Sequence, residues 1–138
     1  MYPLELVMPM KKELTDLGIS ECKSAGDVEK VLSQKGTALV VVNSVCGCAA
    51  RNARPAVKMA LSGHHSKPDN IVTVFAGVDT EATGKAREFM APYPPSSPSI
   101  ALFKDGELVH MIERHHIEGR SAEMIAENLL AAFDEYCA

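Results

Sequence analysis

A chain of 138 residues, 46% apolar and 23% charged, has the length and balance of one domain with a sizeable core, which argues against disorder. Its net charge of −4, from 14 basic and 18 acidic residues, gives no general pull toward nucleic acid or anionic membrane. No apolar run approaches the roughly 20 residues that span a bilayer. The first residues lack the basic region, apolar stretch and small-residue cleavage site of a secretory signal, so a cytoplasmic protein is expected.

Leu6, Met10, Leu14 and Leu17 recur at helical spacing, and Pro9 is tolerable there only near a helix start. Ser24-Ala25-Gly26-Asp27 has the form of a capping box ahead of Val28, Val31 and Leu32, in a second helix that stops around Lys35-Gly36. Thr37 to Val42 is a continuous, largely β-branched run, the mark of a strand buried on both faces and therefore central in a sheet covered by helices. After Cys48 the chain is alanine-rich and reads as helix to about Leu61, kinked at Pro55. Ser62 to Asn70 is a polar loop. Ile71 to Ala76 is a second buried strand, followed by a helix over Glu81 to Met90 that Asp79 or Thr80 caps.

Pro92 to Pro98 holds four prolines and must be loop. Ser99–Phe103 and Leu108–Ile112 form a hairpin about Asp105-Gly106, a strong turn signal. Ile125, Leu129, Ala132, Phe133 and Tyr136 line one face of a last helix that begins near Ser121. The order is α, α, β, α, β, α, β, β, α, without repeat or linker. It predicts one domain over residues 1–138 with an N-terminal helical extension. The fold class is an α/β three-layer sandwich, a mixed central sheet flanked by helices.

Four cysteines stand at positions 22, 46, 48 and 137, and only Cys46 and Cys48 are close in sequence. A chain this long needs no disulfide staples, and in a reducing compartment such a pair does redox or metal chemistry. Cys46 follows a strand and precedes a helix, where backbone N–H groups and the macrodipole favour a thiolate, the attacking species in disulfide exchange. Arg51 and Arg54 follow closely enough to add positive potential. The one-residue spacer suits a disulfide only if the turn at Gly47 departs from helix, so an internal bond is expected to be strained and easily reduced. Cys22, read as lying in an early loop, and Cys137, at the exposed end of the last helix, are read as bystanders.

Pro98-Ser99-Ile100-Ala101-Leu102-Phe103-Lys104-Asp105-Gly106 resembles the cis-proline strand of thioredoxins position for position. In that family the cis-proline faces the active cysteine, and its neighbouring backbone holds the incoming chain. The resemblance therefore implies a cis Ser97-Pro98 bond. Gly119 resembles the glycine lining the thioredoxin substrate groove. A closer likeness lies in Val40-Val41-Val42-Asn43-Ser44-Val45-Cys46-Gly47-Cys48-Ala49-Ala50, with Asn52-Ala53-Arg54-Pro55, Tyr93-Pro94-Pro95-Ser96-Ser97-Pro98-Ser99, Ile112-Glu113-Arg114-His115 and Ile117-Glu118-Gly119-Arg120. This set resembles the signature of the bacilliredoxins, a bacterial branch of the thioredoxin superfamily, over nearly the whole chain.

That resemblance implies an oxidoreductase that removes bacillithiol from mixed disulfides with proteins, isomerises disulfides, or both. Cys46 would be the nucleophile and Cys48 the second or resolving thiol. Asn43, Ser44, Gly47, Arg54, Ser97, Pro98 and Gly119 would meet the substrate. Bacillithiol would be a substrate and no cofactor would be required. The partners implied are bacillithiolated or disulfide-bonded proteins, with neither nucleic acid nor membrane. Three features depart from these families. The chain has no Trp, so Val45 replaces the tryptophan before the thioredoxin cysteine. The buried carboxylate that assists thioredoxin's second cysteine would fall near Val40, and Arg51 stands where a small residue is usual.

Two other readings compete. A metal-binding or metal-delivery module would use Cys46, Cys48 and a histidine pair, His64-His65 or His115-His116. Zinc requires four converging ligands, and adjacent histidines on a strand point to opposite faces, so the histidines, His110 included, are read as surface residues and no metal is expected. A thiol peroxidase would have Cys46 attack peroxide, with Ser44 in the place of an assisting threonine. The seven methionines suit core filling.

Overall fold

The structure is a computed structural model that describes residues 2–63 and 66–138, so the histidine pair at 64 and 65 lies outside the described residues. The elements in chain order are α1 (Leu4–Thr15), β1 (Ser20–Glu21), α2 (Ala25–Leu32), β2 (Thr37–Asn43), a π-helical turn (Ala49–Ala53) running into α3 (Arg54–Leu61), and β3 (Asn70–Phe75). There follow α4 (Thr80–Phe89), β4 (Ser99–Lys104), β5 (Glu107–Ile112), α5 (Arg114–Ile117) and α6 (Ala122–Tyr136). The sheet runs β1-β3-β2-β4-β5, with β1, β3 and β2 parallel, β4 antiparallel to β2, and β5 antiparallel to β4. Among the described residues no helix is long and apolar enough to cross a membrane.

The β-branched run lands at the centre. All seven residues of β2 are buried, and alternation divides them between two cores. Leu39 and Val41 pack with Ala56 and Val57 of α3 and Ile125, Leu129 and Phe133 of α6. Ala38, Val40 and Val42 face the other way, toward Val28 and Leu32 of α2 and Ala82 and Ala86 of α4. Ser24 and Asp27 form the expected capping box. Asp105 at φ 53° and Gly106 at φ 83° make the tight hairpin turn, which needs positive φ at both central positions.

Local expectations fail where tertiary contacts override them. The buried face of α1 is Val7, Lys11 and Leu14, rotated from the Leu6-Met10 stripe. Lys11 is 8% exposed because its ammonium reaches Glu21 at 2.5 Å and Asp79 at 2.9 Å, which draws the helix round. Pro9 lies inside α1, on its exposed side. Asp79 stands at the N-cap of α4 without capping it, its carboxylate being taken by Lys11. The bend foreseen at Pro55 is a π-helical turn upstream of it. Arg54 N–H donates to the carbonyl of Ala49 five residues back, and Pro55, with no N–H, falls in the first turn of α3 where none is required.

Cys22 is not in an open loop. It is 3% exposed, its N–H donates to Thr73, and burial first, then Asp27 and Glu21, push its thiol up to about 11. Cys137 caps α6 half-buried against the α3–α6 core, and burial raises its thiol too.

Candidate active site

Central strand β2 ends at Asn43, and the next helical turn begins at Gly47. Cys46 joins them as an N-cap would. Its carbonyl accepts the N–H groups of Ala49 (3.0 Å) and Ala50 (3.2 Å), and its sulfur accepts the N–H of Cys48 at 3.3 Å. The sulfur occupies the place usually taken by a serine or aspartate oxygen. In this reduced chain Cys48 is already helical, at φ −63° and ψ −33°, and all four thiols are free.

The bridge rests on a buried polar hub. Asn43 Oδ1 accepts Ser44 N–H and Arg54 Nη1, both at 2.9 Å, while Asn43 Nδ2 donates to the carbonyl of Met10 in α1 at 3.1 Å. Arg54 Nη1 also donates to the Ser44 carbonyl at 2.9 Å, and its Nε lies 3.2 Å from Glu13, an ion pair outside hydrogen-bond alignment. Ser44 Oγ accepts the Cys46 N–H at 3.2 Å. Asn43 and Arg54 are 1% and 3% exposed, and their bonds hold the loop from beneath. The Arg54 guanidinium is taken by Asn43, the Ser44 carbonyl and Glu13. The Ser44 oxygen accepts the Cys46 N–H, which leaves its own O–H free to donate.

The cation at the sulfur comes from the far end of the chain. Arg114 Nη2 lies 3.2 Å from Cys46 Sγ, its Nη1 donates to the Ser97 carbonyl at 3.2 Å, and its Nε pairs with Glu118. Nothing in the residue pattern marks Arg114 as this partner. Its only signal is membership of the Ile112-Glu113-Arg114-His115 segment. Partial burial works against a charged Cys46, but the Cys48 N–H and thiol, the Arg114 guanidinium and the Ala49 N–H outweigh it, holding the Cys46 thiol below its ordinary value. Cys48 moves the opposite way, raised first by its bond to Cys46, then by burial, the Cys46 charge and Glu118. Two neighbouring thiols therefore differ in readiness, one poised as nucleophile and the other held as thiol.

Of the remaining expected residues, Ser97 shares a cavity of about 300 Å³ with Cys46 and Arg114. The Ser97-Pro98 bond is cis, as is Ala91-Pro92. Gly47 leaves room for Arg51, whose Nη2 would sit 3.0 Å from an added Cβ. Gly119, at φ 75°, turns the chain between α5 and α6 and lies outside the cavity wall. Val40 belongs to the core on the opposite face of the sheet from Cys48, and the residues on the Cys48 side, Leu39 and Val41, are apolar as well. A larger cavity of about 580 Å³, between β5 and α6, contains neither Cys46 nor Cys48. The smaller cavity is the one that Cys46 lines.

His115 and His116 stand on a short helix and not on a strand, so their rings do approach, with centroids 4.0 Å apart. With Glu113 they form a group whose ligand atoms lie within 4.8 Å, but neither Cys46 nor Cys48 belongs to it. His116 Nδ1 accepts the Glu113 N–H at 3.1 Å, the bond of a helix cap.

The family model described as disulphide isomerase matches residues 2–137. The chain belongs to the disulphide isomerase family. It is 57% identical over 135 residues to a bacilliredoxin of Cytophaga hutchinsonii, covering 98% of this chain and 99% of that one. It is 53% identical over 137 residues to a bacilliredoxin of Geobacillus kaustophilus, covering 99% and 94%. Among solved structures it resembles a Malassezia sympodialis thioredoxin, with TM-score 0.60, 15% identity, and coverage of 87% of this chain and 91% of that one. A Halobacterium salinarum thioredoxin gives TM-score 0.58 and 17% identity, covering 86% and 90%. At these identities the structures establish the thioredoxin fold, and membership of the disulphide isomerase family makes the chain a thiol–disulfide oxidoreductase.

Proposed function

We propose that this chain removes bacillithiol from bacillithiol–protein mixed disulfides, with rearrangement of protein disulfides as a second outcome of the same exchange. The observation that carries the reading is the Cys46 sulfur, 3.3 Å from a helix-start N–H and 3.2 Å from Arg114. A thiolate so supported attacks the bacillithiol sulfur of the substrate. The Cys46–bacillithiol bond forms as the substrate's S–S bond breaks, and the target protein leaves as a thiolate that takes a proton from water. One disulfide replaces another, so no cofactor enters. Two routes then clear Cys46. Cys48 attacks the Cys46 sulfur, releasing bacillithiol and leaving an internal disulfide, or a second bacillithiol attacks the first, leaving Cys46 reduced. The likeness to bacilliredoxins supports bacillithiol as the carried thiol, disulfide-bonded proteins as partners and a cytoplasmic, reducing setting.

Intact-mass spectrometry of two variants with a bacillithiolated protein tests this. Cys46→Ser should lose the reaction altogether. Cys48→Ser should still strip the substrate once and accumulate a Cys46–bacillithiol adduct. If Cys48→Ser loses the first step while Cys46→Ser keeps it, the roles are reversed and the proposal fails.

A further inference from the structure

The cavity beside Cys46 holds a second cation that sulfur exchange does not use. Its wall includes Cys46, Ser97, Arg114, Arg87, Gly77 and Tyr2, and no acidic side chain among the described residues lines it. Gly77 adopts φ 82°, and an added Cβ would lie 3.0 Å from Tyr2 Cε2, so the tyrosine ring closes over a position that only glycine leaves open. Arg114 is already committed to Glu118, the Ser97 carbonyl and the sulfur. Arg87, from α4, is not. Its Nε is shielded from solvent and meets no acceptor among the described residues. A shielded guanidinium donor without an acceptor is costly, and the same side chain is one of those lining a cavity at the small end of the range for ligand pockets.

We propose that Arg87 binds a carboxylate of the low-molecular-weight thiol carried on the substrate, making this cavity a subsite for an anionic thiol. The inference rests on the exchange reading above and names its selector. A mixed disulfide offers two sulfurs to attack. Arg87 holds the small thiol's carboxylate in the cavity and thereby presents that thiol's sulfur to Cys46, with the protein's sulfur as leaving group. The exchange stays balanced, one S–S bond forming as one breaks, and Arg87 acts as a specificity-determining residue that exchanges no proton.

The test uses the full, pre-reduced chain and three symmetrical small disulfides: dithiodipropionate (anionic), hydroxyethyl disulfide (neutral) and cystamine (cationic). Single-turnover formation of the Cys46 adduct is followed by quenched intact mass. The readout is the ratio of anionic to neutral rate constants. Arg87→Gln should lower that ratio about tenfold, as expected for loss of one charge-assisted hydrogen bond. Arg87→Lys should keep part of it, and Arg87→Glu should move the preference toward cystamine. Added salt should shrink the wild-type ratio without any variant, which keeps the test open if a variant folds poorly. A wild-type ratio equal to that of Arg87→Gln, or insensitive to salt, overturns the subsite and leaves the exchange chemistry standing. A wild type that forms an adduct with none of the three overturns the exchange reading and the subsite with it.

Discussion

Replacing Asn43 by alanine should unfold the chain at a markedly lower temperature, although the side chain touches neither sulfur. Asn43 is 1% exposed and makes three hydrogen bonds, accepting from Ser44 N–H and Arg54 Nη1 and donating to the Met10 carbonyl. Truncation strands the N–H of Ser44, itself 6% exposed, and takes from Arg54 one of the two carbonyl acceptors of Nη1. A buried donor left unsatisfied costs about 1–3 kcal/mol, and a bond to a charged group contributes about 1.5–3 kcal/mol. A net loss of about 3 kcal/mol in a chain this long lowers Tm by about 10 °C. Calorimetry or circular dichroism gives the shift directly. Iodoacetamide labelling near neutral pH should slow in parallel, because the loop that places Cys46 at the helix start is no longer pinned. Asn43→Asp, which keeps both acceptor bonds and sets a charge against Arg54, should lose less. A fall of under about 3 °C for Asn43→Ala would mean that water replaces these bonds freely, and the hub could not be what holds the loop.

Arg114→Gln should move the pH profile of Cys46 alkylation to higher pH, since the cation 3.2 Å from the sulfur helps hold its thiol below the ordinary value; an unchanged profile would leave the helix-start N–H groups as the whole cause. Cys22 gives the opposite sign: its folded thiol is raised to about 11, so its contribution to stability is complete below the ordinary thiol range and is lost as pH rises through about 11. Thermal melts should fall across that window and fall less in Cys22→Ser. Gly106→Ala should destabilise by about 1–2 kcal/mol, because φ there is 83° and the new Cβ meets the Leu32 carbonyl at 3.0 Å. Gly47→Ala meets only the movable end of Arg51 and should shift the melt far less, a contrast that urea titration of both variants checks.

Legibility of the fold tracks how far a signal depends on neighbours in sequence. Thr37–Val42 announces a doubly buried strand because apolar residues fill both phases of its alternation, and Ser24 with Asp27 announces a cap because all its partners lie within one turn. What fails depends on distant residues. The face of α1 cannot be read without knowing that Glu21 and Asp79 take the Lys11 ammonium, and the same bond removes Asp79 from its cap. Strand β1 has two residues, too few for any period, and α5 has four. The seat of Cys46 at a helix start is legible from strand–cysteine–helix order. Arg114 is not, because it lies 68 residues away in sequence and no local pattern records that distance. Arg54 shows the related point that a cation near a cysteine in sequence can be taken by other partners, here Asn43, the Ser44 carbonyl and Glu13.

Sheet register is what carries Arg114 across that distance. Strand β4 pairs with β2 so that Val42 stands opposite Ser99, which brings the Ser97-Pro98 corner beside the end of β2 where the cysteine loop begins. Strand β5 pairs with β4 through a bulge between Leu102 and Phe103: Phe103 faces Leu108, but Leu102 faces His110. The extra residue changes which face every later side chain of β5 takes. With it, Ile112 stands opposite Ile100 and both enter the same core, at 4% and 1% exposure. Without it, Met111 would oppose Ile100 and Ile112 would turn to the other face. Arg114 follows Ile112 closely and starts α5 with its N–H toward Ser96 Oγ and its Nη1 on the Ser97 carbonyl. Burial of one isoleucine thus fixes the phase of the strand that delivers the guanidinium to the sulfur.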